Sequence, residues 1–178
     1  FCAMIPGIIS LLLLVLLLIV FGTLAYGAWS AAPWVPLSGR DVERLLDLAE
    51  LKPGELFYDL GCGDGRMLTA AARRGAQAVG FEIALVPYLL AHVRRLLSSE
   101  RSLISIRYQN FWKVPLTGVK VVGCFLTPSA MARLEPKLAA ELEVGARFVT
   151  YAFKLPNRPP TRTSKPTPDS TKIYCYQA

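Results

Sequence analysis

Two carboxylates and three glycines mark where this 178-residue chain could do chemistry. The stretch Phe57-Tyr58-Asp59-Leu60-Gly61-Cys62-Gly63-Asp64-Gly65-Arg66 carries an apolar run to an aspartate and then sets glycine at every second position. Glu55 to Leu60 reads as a buried strand, and the glycines let the backbone turn sharply and approach a ligand with no Cβ in the way. Asp64 is placed to cap the helix that follows, from about Gly65 to Arg74, with Met67, Leu68, Ala71 and Ala72 on one face. Gly75 suits its left-handed end. A second strand, Gln77 to Phe81, delivers Glu82 about 20 residues beyond the first glycine, where such sheets place a carboxylate on ribose hydroxyls. Strand, glycine turn, helix, strand and carboxylate together describe a nucleotide-binding edge.

The glycine spacing narrows the ligand. A dinucleotide fingerprint requires Gly-x-Gly-x-x-Gly so that a pyrophosphate can sit on the helix N-terminus. The last of those positions is Arg66 here, which disfavours a nicotinamide oxidoreductase. The pattern Asp-x-Gly-x-Gly-x-Gly instead resembles motif I of the class I, seven-strand S-adenosylmethionine-dependent methyltransferases. By that resemblance Asp59, Gly61, Gly63, Gly65 and Glu82 are cofactor contacts, with Asp59 facing the methionine ammonium. Such enzymes usually hold the adenine at the end of the third strand, with a side-chain carboxylate or amide and the next backbone N–H. Asn110 and Phe111 occupy that place. From position alone the same pair reads equally well as a polar turn after a strand.

The elements that must position these groups form an α/β chain with an apolar prefix. No charged residue occurs before Arg40, and Gly7 to Gly27 is almost continuously aliphatic. At 1.5 Å per residue that run makes about 31 Å of helix, enough to cross a hydrocarbon core. A cleaved secretory signal is the competing reading, but signal cores are shorter and follow a basic segment. Tyr26, Trp29 and Trp34 suit an interfacial aromatic belt. The expected organisation is therefore a transmembrane anchor over 1–32 and a catalytic domain over 33–178. The net charge of +7 belongs wholly to the second part, which favours an anionic leaflet beside it. Its cations are dispersed and no nucleic-acid motif is present, so nucleic acid is not the expected partner. One histidine, His92, and four scattered cysteines offer no metal-ligand spacing, and a reducing compartment is the simplest reading of the thiols. His92 is expected at the surface of a helix.

Along the domain, the prolines of Pro33-Trp34-Val35-Pro36 impose an extended segment that is expected to cross the cofactor cleft. Ser38 and Asp41 cap a helix to about Ala49, with Val42, Leu45, Leu46 and Ala49 buried. A helix over about 84–97 carries Leu85, Leu89, Val93, Leu96 and Leu97, which read as its apolar face. Strands follow over about 103–109, 119–126 and 145–154. The fourth strand delivers Thr127-Pro128-Ser129 to the carboxyl edge of the sheet, where ligand sites collect; Ser129 is a candidate cap for a helix that Pro136 breaks or kinks. Leu155 to Ser170, with five prolines, reads as a loop, and Thr171 to Gln177 as an antiparallel edge strand. One helix and one strand of the usual seven-strand arrangement have no evident place, so the expected fold is a Rossmann-like, doubly wound sheet of the class I methyltransferase type with a shortened C-terminus.

From Pro33 to about Pro156 the chain is similar to the small membrane-anchored methyltransferases related to the mitochondrial enzymes that methylate lysine in the c-ring protein of ATP synthase and the adenine nucleotide translocase. The likeness rests on Pro33-Trp34-Val35-Pro36, Tyr58 to Arg66, Gly80-Phe81-Glu82, Asn110-Phe111-Trp112-Lys113 and Leu134-Glu135-Pro136-Lys137-Leu138. Asn110 stands where that family usually has aspartate. The resemblance implies protein-lysine N-methylation of an integral membrane protein, with S-adenosylmethionine as cofactor and the domain on the cytosolic or mitochondrial matrix side. Desolvation in an apolar channel beside a sulfonium favours the neutral lysine amine, so no dedicated base is required. Trp34, Asn110 and Thr127 are the candidate catalytic residues, and Phe111 and Trp112 further channel residues. A lipid or small amphiphile as acceptor, and a non-catalytic cofactor-binding module, are the alternatives.

Overall fold

The computed structural model describes residues 4–178; Cys2 lies outside them. The apolar prefix forms one helix, α1 (Met4–Ser30). Within Pro6–Ser30 its most apolar 18-residue stretch has a mean hydropathy of 3.1, and the helix is long and apolar enough to cross a membrane. Helix α2 (Gly39–Leu48) starts where Ser38 accepts the Asp41 N–H, and it buries Val42, Leu45 and Leu46 as the sequence predicts. Strand β1 (Leu56–Leu60), helix α3 (Arg66–Arg73), strand β2 (Gln77–Glu82), helix α4 (Leu85–Leu96) and strand β3 (Ile104–Tyr108) then build one half of the sheet. Strand β4 (Val121–Cys124), helix α5 (Pro128–Glu141) and strand β5 (Arg147–Tyr151) begin the other half. Strands β6 (Arg162–Ser164) and β7 (Ile173–Gln177) complete it.

All seven strands lie in one sheet in the order β3-β2-β1-β4-β5-β7-β6. The first five are parallel. β7 runs antiparallel to β5, and β6 antiparallel to β7. The chain leaves β1 towards β2 and β3 on one side and returns to β4 and β5 on the other, so a crevice opens at the carboxyl ends of β1 and β4. Two apolar clusters cover the faces, one gathering α2 and α3 around Phe57 and Val121, the other gathering α5 around Leu60, Val122 and Phe148. Cys62, Cys124 and Cys175 are buried and free.

The C-terminal expectation needs correcting. The missing strand is β6, inside the proline-rich segment read as a loop, and it makes β7 an interior strand instead of an edge. Three residues between prolines carry no hydrophobic period; they pair because β7 presents an open edge. Among the described residues no helix intervenes between β5 and β6. Helix α5 is capped by Thr127, not Ser129, and runs through Pro136 unbroken.

The face of α4 also differs from the pattern reading. Pro87 and Ala91 are buried, whereas Leu89, Val93, Leu96 and Leu97 are more than half exposed. The cause is a close approach: a Cβ added at Gly65 would stand 3.1 Å from the Ala91 Cβ. Only a small residue fits there, so α4 turns its alanine side inward and its leucines outward. His92, expected at the surface, is half-buried, edge-on to Tyr88 with ring centroids 4.6 Å apart.

Candidate active site

The crevice at the ends of β1, β2 and β4 is lined by the glycine turn, by Trp34 and its neighbours, and by the last turns of α1. Its most polar group is Asp59. This side chain is fully buried, and neither carboxylate oxygen has a hydrogen-bond partner among the described residues. Burial, reinforced by the negative charges of Glu82 and Asp64, pushes its pKa well above the usual carboxylate range. An isolated buried carboxylate is costly, which makes it a candidate for a cationic partner that only a ligand can bring.

Glu82 does a different job. It is also buried, but its carboxylate accepts N–H groups from Gly63 at 2.9 Å, Ile83 at 2.8 Å and Ala84 at 2.8 Å. It therefore fixes the glycine turn to the end of β2 while remaining on the cavity wall. The turn itself needs glycine for backbone reasons at Gly63 (φ 55°) and Gly65 (φ 76°), both left-handed; Gly61 has the same sign. Gly65 is the N-cap of α3, so Asp64 does not cap that helix with its side chain. Asp64 instead pairs with Arg66 at 2.7 Å and with Arg94 of α4 at 2.8 Å. Burial raises the Asp64 pKa, but the two guanidiniums outweigh it and hold the carboxyl below its ordinary value.

The opposite wall comes from the N-terminal segment. The Trp34 indole lies against the glycine turn, so close that a Cβ on Gly63 would stand 2.8 Å from Trp34 Cδ1. The extended segment thus crosses the cleft as expected. Arg66 Nη1 holds it there by donating to the Leu37 carbonyl. Gly27, Ala28, Ala31 and Ala32 bring the end of α1 onto the cavity, a contribution no sequence motif announces. That end is tied down at several points. Thr127 Oγ1 donates to the Ala31 carbonyl at 2.6 Å, and the Trp112 indole N–H reaches the Ser30 carbonyl at 3.3 Å.

These bonds decide what two of the expected site residues do. Thr127 uses its hydroxyl to clamp α1 and to accept the Ala130 N–H, and it is not among the cavity-lining residues. Asn110 accepts the Trp112 N–H at 3.0 Å and approaches the Tyr26 hydroxyl at 3.5 Å, also off the cavity wall. Its neighbours Gln109 and Phe111 do line it. Gln109 is an addition to the expected set; its place directly after β3, beside Asn110, is the one signal that marks it. Asp59, Gly61, Gly63, Glu82, Phe111 and Trp34 are thus brought together, with Gly65 just beneath them at the start of α3.

The comparisons with known proteins agree on the kind of chain this is. A family model described as the ANTKMT methyltransferase domain matches residues 59–162. The adenine nucleotide translocase lysine N-methyltransferase of Mus musculus is 40% identical over 131 residues, which make up 72% of this chain and 56% of that protein. The Rattus norvegicus lysine N-methyltransferase named for the c-type subunit of ATP synthase is 35% identical over 148 residues, 82% of this chain and 67% of that one. Among solved structures, an RNA methyltransferase from Salinibacter ruber in complex with S-adenosyl-L-homocysteine superposes with a TM-score of 0.77 at 30% identity, covering 80% of this chain and 93% of that one. The chain spans little more than half the length of the mouse relative. With the seven-strand order, the glycine turn and the paired carboxylates in place, the chain belongs to the ANTKMT methyltransferase domain family.

Proposed function

We propose that this chain is a membrane-anchored, S-adenosylmethionine-dependent protein-lysine N-methyltransferase acting on an integral membrane protein. The observation that carries the reading is Asp59, a buried carboxylate without a partner at the end of β1. It matches the ammonium of a methionine moiety laid over Gly61 and Gly63. Glu82, 19 residues after Gly63 and braced by three N–H groups, keeps lone pairs for ribose hydroxyls. Gln109 and Phe111, on the cavity wall after β3, suit an adenine edge. When bound, the cofactor supplies an electrophilic sulfonium methyl.

The acceptor side of the cleft is apolar: Gly27, Ala28, Ala31, Trp34, Phe125 and Leu126. Such a wall removes water from an entering amine and favours its neutral, nucleophilic form, so no separate base is needed. Positioning at near-attack distance then supplies much of the acceleration. Trp34 contacts the site directly, whereas Thr127 and Asn110 act through the segments they hold. Two relatives named for lysine methylation support the acceptor class. Residues 1–32 serve as the anchor and 33–178 as the methyltransferase domain, on the cytosolic or matrix side.

The test is transfer of radiolabelled methyl from S-adenosylmethionine into solubilised membranes, with protein, lipid and RNA fractions separated afterwards and Asp59→Asn as control. Label in a protein band, lost with the variant and mapping to lysine, is the expected result. Label confined to lipid or to RNA would replace the acceptor class, and cofactor binding without any transfer would leave a binding module.

A further inference from the structure

Helix α4 carries an apolar stripe that the described residues leave exposed. Leu89, Leu90, Val93, Leu96 and Leu97 fall within about 120° of one another at 100° per residue, and they are 42% to 83% exposed. A contiguous exposed stripe of this size marks an interaction surface. Its position identifies the occupant. The N–H of Leu85, the first residue of α4, donates to Thr23 Oγ1 of α1 at 3.2 Å. A Cβ on Gly27 would lie 3.7 Å from the Ala84 Cβ, so α1 passes close to the start of α4. Val20, Thr23, Leu24 and Gly27 are the partly covered positions on this part of α1, one stripe at helical spacing.

The apolar span begins at Pro6, and about 20 residues of helix cross the hydrocarbon core. Val20 and Thr23 therefore lie within the span. The start of α4, bonded to Thr23, must then sit at the level of the bilayer boundary. Arg94, which is paired with Asp64, and Arg95, which donates to the Ile104 carbonyl, close the last turn of α4, and the exposed Arg101 follows, so the end of the helix is basic. Leucines flanked by arginines on a helix at that depth have the composition of an interfacial segment.

We infer that α4 lies in the interfacial layer of an anionic bilayer, its leucine stripe in lipid, so that the methyltransferase domain is docked on the membrane by two elements instead of hanging from one. This inference rests on the reading of α1 as a membrane anchor. Docking through α4 as well as α1 would fix the direction in which the cleft faces the membrane and restrict acceptors to side chains near its surface.

Spin-label accessibility on the full chain tests this. The chain would carry Cys2→Ser, its other three cysteines being buried, and be reconstituted in phosphatidylcholine–phosphatidylglycerol vesicles. Single labels are placed at V93C and L97C on α4, at L16C on α1, and at V144C, which is 96% exposed in the connection between α5 and β5. The expected result is preferential collision with oxygen at V93C, L97C and L16C, and with a water-soluble nickel chelate at V144C. If V93C and L97C behave as V144C does while L16C stays in lipid, α4 is in water and the inference falls with anchoring intact. If V93C and L97C are shielded from both reagents, another protein surface covers the stripe and the inference also falls. If L16C itself is aqueous, the anchoring reading fails and takes this one with it.

Discussion

On one side of the cleft Glu82 accepts the N–H groups of Gly63, Ile83 and Ala84 and so ties the glycine turn to the end of β2, while on the other Thr127, Trp112 and Asn110 reach across to the end of a helix 82 to 96 residues away in sequence. The first wall is local, built from β1, the glycine turn and β2. The second is assembled over long range from α1, the Trp34 segment and the loops after β3 and β4. One half is held by backbone geometry and the other by tertiary contacts, so the two should fail in different ways.

Removing the brace of the local wall should have the largest effect. Glu82→Ala leaves the N–H group of Gly63 in the glycine turn and those of Ile83 and Ala84 after β2 without their acceptor, at about 1–3 kcal/mol for each that stays buried. A loss on the order of 3–5 kcal/mol in chemical denaturation is expected, together with loss of cofactor binding.

Asp59→Asn breaks the same wall in the opposite sense. It removes a carboxylate that the empty fold does not satisfy, so thermal stability without ligand should not fall. Cofactor affinity should drop by about 2–4 kcal/mol, as for one partner of a buried charge pair, measured by calorimetry. The pH dependence follows from the raised Asp59 pKa. Protonated Asp59 is compatible with burial, so its contribution to stability is fully present below the unfolded-state value near 3.9. That contribution is lost as pH rises through the higher folded value. Cofactor binding, which needs the carboxylate, should instead tighten with rising pH, by about tenfold per unit until Asp59 is ionised. Both trends should flatten in Asp59→Asn.

The long-range wall should respond more mildly. Thr127→Val removes the helix cap and the hydroxyl bond to the Ala31 carbonyl, leaving only the backbone N–H bond to it, and should cost about 1–2 kcal/mol in thermal denaturation. Cofactor affinity should change little and transfer should slow, since the Ala31 end of the cleft loosens. Asn110→Asp, the residue that the family resemblance implies at this place, keeps the oxygen that accepts the Trp112 N–H. Stability should move by less than about 0.5 kcal/mol. A change in transfer rate there would show that the side chain reaches substrate despite facing Trp112 and Tyr26 in this structure.

The same division explains what can be read from the residues alone. The local wall is legible because Asp59, the alternating glycines and Glu82 are placed by strand and turn rules that act within a few residues. Gly63 and Gly65 have the positive φ that those rules require. The outward face of α4 is not legible, because the deciding contact is Gly65 against Ala91, between elements. Asp64 reads as a cap, but Arg94, thirty residues on, draws it away. β6 is hidden because its pairing comes from β7 and not from its own pattern. The contribution of α1 to the cavity is invisible for a similar reason: Gly27, Ala28 and Ala31 look like ordinary small residues of an apolar helix until the fold sets them beside Leu126 and Phe81.

If α1 forms part of the cleft and is more than a tether, its cavity face must matter where its other faces do not. Ala28 lines the cavity, whereas Ala25, three residues earlier on α1, does not. Methyl transfer to membrane protein should therefore be compared for Ala28→Phe and Ala25→Phe in the same vesicles. Near-complete loss with Ala28→Phe and wild-type transfer with Ala25→Phe are expected. Equal activity in the two variants would contradict a cavity role and return α1 to the part of a simple anchor.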